Sequence, residues 1–144
     1  MRAKYGNHKL TIKGETYDSQ IELARHLFLQ NREKEGAISN LRRQVDYELI
    51  PAQYGTRIKH LKTKDKEETY LIEKSCHYKA DFVYERNGKL VVEDCKGQSS
   101  PKFSTQTPEF RIKKKLMLWR YGIKVEIITS PTCWEENYSM EKTK

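Results

Sequence analysis

Cysteine, proline and long apolar runs are what this chain has least of. Three cysteines, Cys76, Cys95 and Cys133, stand among 144 residues, and no two are spaced Cys-x-x-Cys. An odd, scattered set argues against a disulfide framework and against the paired thiolates of a structural zinc site. Cys76-His77 joins two ligand types, but neighbours in a strand point to opposite faces, so adjacency works against zinc. No apolar core follows the basic opening residues 1–9, and no run approaches the length that crosses a bilayer. A cytoplasmic, reduced protein without a membrane partner is the expectation.

Positive charge is plentiful. Lys and Arg number 28 against 20 for Asp and Glu, a formal net charge of +8. Such an excess favours a polyanion, because each neutralised phosphate releases counterions, although ordinary solubilising charge reads the same way. Hydrophobic residues reach 36% and charged residues 33%. Tyrosine and β-branched residues recur throughout, so the chain reads as one folded domain over residues 1–144, its core at about 15–130, with a basic N-terminal arm and a loose C-terminal tail.

Turn and cap signals divide that core. A short strand is expected at 9–13. Ser19 suits a helix N-cap, with Glu22 three residues on as in a capping box. Ile21, Ala24, Leu27 and Phe28 then follow helical spacing as an apolar face, and Gly36 suits the end. Residues 37–43 read as a connection and 45–50 as a strand stopped by Pro51. The basic, irregular stretch 52–68 reads as a long hairpin tip or mobile loop. Residues 69–85 read as one long strand or two collinear ones. Asn87-Gly88 is the strongest short hairpin signal in the chain. The returning strand, 90–96, opens on Leu90-Val91-Val92 and is expected to be central and buried. Thr107-Pro108-Glu109 starts a second helix, with Ile112, Leu116 and Trp119 as its apolar face and Gly122 at its end. A last strand is expected at 123–129. The order is helix, three strands, helix, strand: an α/β chain with a mixed sheet.

The chemistry gathers on the hairpin. Asp94 and Lys96 are two apart on a strand and project from one face, while Glu93 and Cys95 point the other way. Asp81 lies on the partner strand. Three charges at the end of a core strand are costly unless they serve each other or a ligand. Phosphodiester hydrolysis would use them. Two carboxylates bind a hard divalent cation through oxygen, and the Cys95 carbonyl is a third candidate oxygen. The cation lowers the pKa of its water, and a lysine beside it orients that water and offsets developing charge.

Ala80-Asp81, a hairpin, then Asp94-Cys95-Lys96 resembles the PD-(D/E)xK nuclease superfamily, whose core runs helix, three strands, helix, strand. The phrases Thr-Tyr-Asp-Ser-x-x-Glu, Ala-Asp-Phe-Val-Tyr and Val-Val-Glu-Asp-Cys-Lys-Gly carry the likeness, which spans roughly residues 15–130. It is similar in particular to small phage-encoded nucleases related to junction-resolving enzymes and to the nuclease subunit of some transposases. The resemblance implies a restriction-endonuclease-like core, Mg²⁺ (with Mn²⁺ as substitute) on Asp81 and Asp94, Lys96 as the residue that assists the water, and a bacterial or phage-infected cell as the setting. Many members carry a glutamate on the first helix near the metals, and Glu22 matches it. Two departures stand out: Ala80 replaces the usual proline, and Asp94 stands where Glu is commoner.

Each candidate has a plainer reading. Asp-x-Lys alone is often a surface salt bridge. Glu22 suits a capping box as well as a metal site. Lys113 approaches the phosphate or is one more cation on a crowded helix. Lys102, with Ser99, Ser100, Thr105 and Gln106, suits phosphate contacts or an ordinary polar loop, and Arg57 and Lys59 share that ambiguity. His60 and His77 have no evident partner in the sequence. Three functional readings follow. The first is a Mg²⁺-dependent DNA endonuclease, structure-selective because so small a chain has little surface for reading sequence, and dimeric so that two sites meet two strands. The second is a non-catalytic nucleic-acid-binding module of the same fold. The third is a basic structural protein that binds no metal.

Overall fold

The computed structural model describes residues 10–12, 14–17, 19–96 and 106–132. Among them the elements run β1 (Leu10–Ile12), β2 (Glu15–Tyr17), α1 (Gln20–Lys34), β3 (Ser39–Ile50), β4 (Gln53–His60), β5 (Asp65–Glu73), β6 (Cys76–Arg86), β7 (Lys89–Cys95), α2 (Pro108–Tyr121) and β8 (Glu126–Ile128). The fold is mixed α+β. A four-stranded sheet has the order β3-β6-β7-β8, antiparallel except for β7 and β8. β1 with β2 and β4 with β5 form separate two-stranded sheets.

Local chemistry explains the central hairpin. Asn87 and Gly88 both have positive φ, 53° and 75°. A two-residue turn of this kind matches the twist of the strands it joins. It aligns Arg86 with Lys89, and the register then brings Val83 to Val92 and Phe82 to Glu93. β7 and β8 are parallel, so the chain needs a crossover between them, and α2 supplies it.

Helices cover both faces of the sheet. On one, Leu29 and Phe28 of α1 pack with Ile38, Phe82 and Tyr84. On the other, Phe110 and Met117 of α2 pack with Tyr78, Ala80, Val83, Val92 and Val125. The expected caps are present. Ser19 Oγ accepts from the Glu22 N–H at 3.3 Å, and Thr107 Oγ1 accepts from the Phe110 N–H at 3.1 Å. Gly122 ends α2.

The expected inner faces of both helices are corrected. Leu27 is 54% exposed, whereas Glu22, Arg25, His26 and Leu29 are buried. In α2, Ile112 and Trp119 are exposed, and the buried pair is Phe110 and Met117, on the opposite side. Apolar spacing misleads for α1 because its inner face is charged, and the sheet supplies partners for those charges. For α2, three aromatics and two leucines leave more than one apolar stripe to choose from, and packing selects one.

The strands differ from expectation as well. Residues 39–43 are not a connection but the start of a twelve-residue β3. It is irregular: Asn40 and Gln44 have φ of 55° and 52°, and these kinks interrupt the alternation that would have revealed it. Of the two readings of residues 52–68 the hairpin stands and the mobile loop does not: β4 and β5 pair from Gln53 with Glu73 to His60 with Asp65, so the strands run much closer to the tip than expected. Leu90, expected in a buried run, is 46% exposed beside the turn, while Val92 is buried.

Candidate active site

The end of β7 gathers side chains from α1, β3, β6 and β7. Asp94 is 5% exposed. Tyr78 of β6 donates its hydroxyl to Asp94 Oδ2 at 2.8 Å. Burial, and next the Asp94 charge, push the Tyr78 hydroxyl far up, so it stays protonated and remains a donor. The other oxygen, Oδ1, lies 2.9 Å from Lys96 Nζ, an ion-pair distance, yet the approach is not that of a hydrogen bond and Oδ1 is a buried oxygen without one. The Lys96 ammonium also sits 4.2 Å from the centre of the Phe110 ring. It is thus held between a carboxylate and an aromatic face. β8 fixes the backbone here, with the Lys96 N–H donating to the Ile128 carbonyl at 2.9 Å.

Asp81 marks a break in strand alternation. Ala80 and Val83 pack on the α2 side, while Phe82 and Tyr84 pack on the α1 side. Residues three apart cannot share a face of a regular strand. The reversal falls at Asp81. The register places Gln44 opposite, between the pairs Arg43 with Phe82 and Val45 with Ala80. Asp81 Oδ2 accepts from the Cys95 N–H at 2.8 Å, tying β6 to β7. The Asp81 carboxyl is pushed up to about 7: burial does most of this, the Asp94 charge adds to it, the Cys95 N–H opposes it, and Glu22 and Lys96 act in opposite senses with smaller effect.

Glu22 is 2% exposed. Its Oε1 accepts from Gln44 Nε2 at 2.9 Å and pairs with Arg43 Nη2 at 3.2 Å. The same Gln44 amide reaches Asp81 Oδ1 at 3.4 Å. Ser19 therefore caps the helix through the Glu22 backbone, while the Glu22 carboxylate faces β3.

Glu93 belongs to a different network. Arg25 grips it with two bonds, Nε to Oε1 at 2.8 Å and Nη2 to Oε2 at 2.6 Å. Tyr84 donates to it as well, and Arg25 Nη1 donates to the Pro131 carbonyl at 2.6 Å. The Cys95 thiol is pushed far up, by burial first and then by the Asp81 and Glu93 charges. It is not a nucleophile in this environment.

The structure thus brings Glu22, Asp81, Asp94 and Lys96 into one neighbourhood. Lys113 is paired with Glu109 at 3.0 Å along its own helix. Arg57 pairs with Glu68 at 2.6 Å and lies 4.9 Å over Tyr70, and Lys59 is exposed on β4. Lys102, Ser99, Ser100 and Thr105 lie outside the described residues. Both histidines have partners that the sequence did not suggest. His60 meets Asp65 at 2.7 Å, and His77 links Asp46 at 2.7 Å to Ser75 at 2.8 Å. The latter chain has the order of a Ser-His-Asp relay, but Asp46 and His77 are substantially exposed, so solvent screens it. Its effect is to pin the linker between β5 and β6. Gln44 and Tyr78 were not legible as site residues, since no spacing rule anticipates a left-handed residue inside a strand.

The profile of the family described as "Protein of unknown function (DUF1064)" matches residues 2–133, and the chain belongs to that family. No curated protein and no solved structure matches it.

Proposed function

We propose that this protein is a Mg²⁺-dependent endonuclease with a restriction-endonuclease-like core, hydrolysing phosphodiester bonds of DNA and preferring branched DNA. One observation carries the reading: Asp81, Asp94 and Lys96 converge at the end of a buried strand. The order α1, β3, β6, β7, α2, β8 supports it, with the β4–β5 hairpin as an insertion. Among the described residues, no three His, Cys, Asp or Glu side chains form a ready metal cage. Two features nonetheless suit a hard divalent cation. The buried Asp94 Oδ1 has no hydrogen bond, and Asp81 is held up near 7 partly by its like-charged neighbours.

Asp81, Asp94 and the Cys95 carbonyl would hold the cation, with Glu22 close by through Gln44. When bound, the cation supplies a more acidic water and charge compensation at the phosphate. The chain's own groups do the rest. Tyr78 fixes the Asp94 rotamer by its hydrogen bond. Gln44 bridges Glu22 and Asp81 and lowers their mutual repulsion. Lys96, steadied over Phe110, presents an ammonium for a phosphate oxygen or an attacking water. A homodimer would bring two such sites to two strands.

The test uses supercoiled plasmid and a four-way junction, each with Mg²⁺, with Mn²⁺ or with EDTA, and Asp94→Ala beside the wild type. Cutting is expected with either metal, strongest on the junction, and lost in EDTA and in the variant. Metal-dependent cutting that survives Asp94→Ala sinks the site assignment. Tight binding without cutting under any divalent metal supports a binding module instead.

A further inference from the structure

The β4–β5 ribbon is the feature that the proposed active site leaves unexplained. It is a separate ribbon that continues the line of β3 and β6: Ile50 pairs with Cys76, and beyond a short break Gln53 pairs with Glu73. Its root is anchored. The Arg120 guanidinium donates to the Leu49 carbonyl at 2.8 Å, Tyr121 donates to the Glu48 carbonyl at 2.5 Å, and the His77 chain holds Ser75. From that root, eight residues of β4 at about 3.4 Å each reach about 25 Å outward. A two-stranded ribbon alone is marginal in water, so a long, regular one with a fixed root invites a reason.

Its tip is cationic. Lys59 and Lys66 stand directly opposite each other in the register, a like-charge pairing that costs stability. Lys62 and Lys64 lie in the turn, which the Leu61 N–H closes on the Lys64 carbonyl at 2.9 Å. Among the described residues, none of these four lysines has an ion pair: Glu68 serves Arg57, Asp65 serves His60, and Glu67 stands opposite Ile58, on the other face from the Lys59–Lys66 pair. Four unopposed cations, two of them forced together, are stabilised by an anion that spans them. The lower ribbon is tightly closed, since a Cβ on Gly55 would come within 2.9 Å of Ile72 Cδ1 and 3.1 Å of the Tyr70 ring. A paired ribbon with an anchored root suits an arm that places a charged end at a set distance.

We propose that this ribbon is a nucleic-acid-binding arm whose lysine tip, Lys59, Lys62, Lys64 and Lys66, grips the phosphates of a double-stranded helix. A two-stranded ribbon fits a major groove about 12 Å wide. A single strand would instead need aromatic platforms in series. The exposed aromatics, Tyr54 and Tyr70, lie in the lower half of the ribbon on opposite faces, so only Tyr70 shares the face of Lys59 and Lys66 and no series of platforms forms. The choice of DNA as the duplex rests on the nuclease reading above, but the arm and the cutting centre are tested apart.

The test measures binding of a 30-base-pair DNA duplex in EDTA across a salt series, so that cleavage plays no part. Four proteins are compared: wild type, Lys59→Gln/Lys66→Gln, Lys62→Gln/Lys64→Gln, and the control Lys34→Gln/Lys89→Gln, which removes equal charge elsewhere. Each tip pair is expected to lower the salt slope by nearly two and weaken binding on the order of tenfold at moderate salt, with the control close to wild type. Circular dichroism that matches wild type excludes misfolding, which relief of the lysine pair makes easy to satisfy. Equal losses in tip variants and control overturn the arm, as does wild-type preference for a 30-base single strand, or unchanged binding with an altered sedimentation mass. Loss of slope in the tip variants with no cutting in Mg²⁺ would leave the arm standing and remove the nuclease reading.

Discussion

Gln44 and Asp81 face each other across β3 and β6, and each breaks the regularity of its own strand. Gln44 takes a left-handed backbone at φ 52°, and at Asp81 the strand changes which face it buries. The consequence is an amide donating to Glu22 at 2.9 Å and reaching Asp81 at 3.4 Å. A non-glycine residue in that backbone region costs on the order of 1 kcal/mol and persists only where its surroundings hold it. Here the surroundings are two acids from two different elements.

Gln44→Ala is expected to reduce the DNA-cutting rate by about 10–100-fold, the usual effect of losing a group that orients metal-binding carboxylates. KM should change little, because Gln44 is not placed to touch substrate. Gln44→Asn, which keeps the amide on a shorter stem, should recover part of the rate. Steady-state kinetics on a junction substrate separates these effects. A KM defect with normal kcat would place Gln44 in substrate binding instead.

Asp81 predicts how the metal-free protein responds to pH. Its carboxyl sits at about 7 in the folded chain against an ordinary 3.8. A raised folded value means its contribution is fully present below about 4 and is lost as pH climbs to about 7, after which it is level. Asp81→Asn removes this dependence. In EDTA the variant should gain on the wild type between pH 5 and 7 by at most about 1.4 kcal/mol per pH unit, read from urea midpoints. The same linkage makes Mg²⁺ binding weaken up to about tenfold per unit below pH 7, since the ion competes with a proton. Parallel pH curves for the two proteins would show that Asp81 is not raised.

Neighbouring acids on β7 should behave in opposite ways. Glu93 is locked to Arg25 in the interior, and removing one partner of a buried pair leaves an uncompensated charge. Glu93→Ala is expected to cost about 3–5 kcal/mol by urea unfolding. Asp94→Asn keeps the shape and removes one of several crowded carboxylates, so its stability should stay within about 1 kcal/mol of wild type while cutting is abolished. If Glu93→Ala folds normally and Asp94→Asn does not, the roles given to the two residues are reversed.

Much of the scaffold was legible because it rests on local chemistry. Asn87-Gly88, the Ser19 and Thr107 caps and Gly122 each act within a few residues of themselves, and each stands as read. The inner faces of the helices were not. α1 buries Glu22, Arg25 and His26, which no hydrophobic count selects: Glu93 offsets the cost of Arg25, Gln44 and Arg43 that of Glu22, and His26 packs on the Phe82 ring. The ribbon was legible only as a choice between a hairpin and a loop for a similar reason: charges interleave its strands, and only pairing across them gives those residues order.

Spacing along the chain alone placed Asp94 and Lys96 on one side of a returning strand and Asp81 on its partner, because alternation and turn geometry are properties of neighbours. Tertiary structure decided which groups surround them. Gln44, Tyr78 and Phe110 come from elements 16 to 50 residues from Asp94, so their approach depends on packing, burial and a break in strand regularity. That packing also decides the electrostatics, since burial and converging like charges, and not the residue types themselves, hold Asp81 near 7.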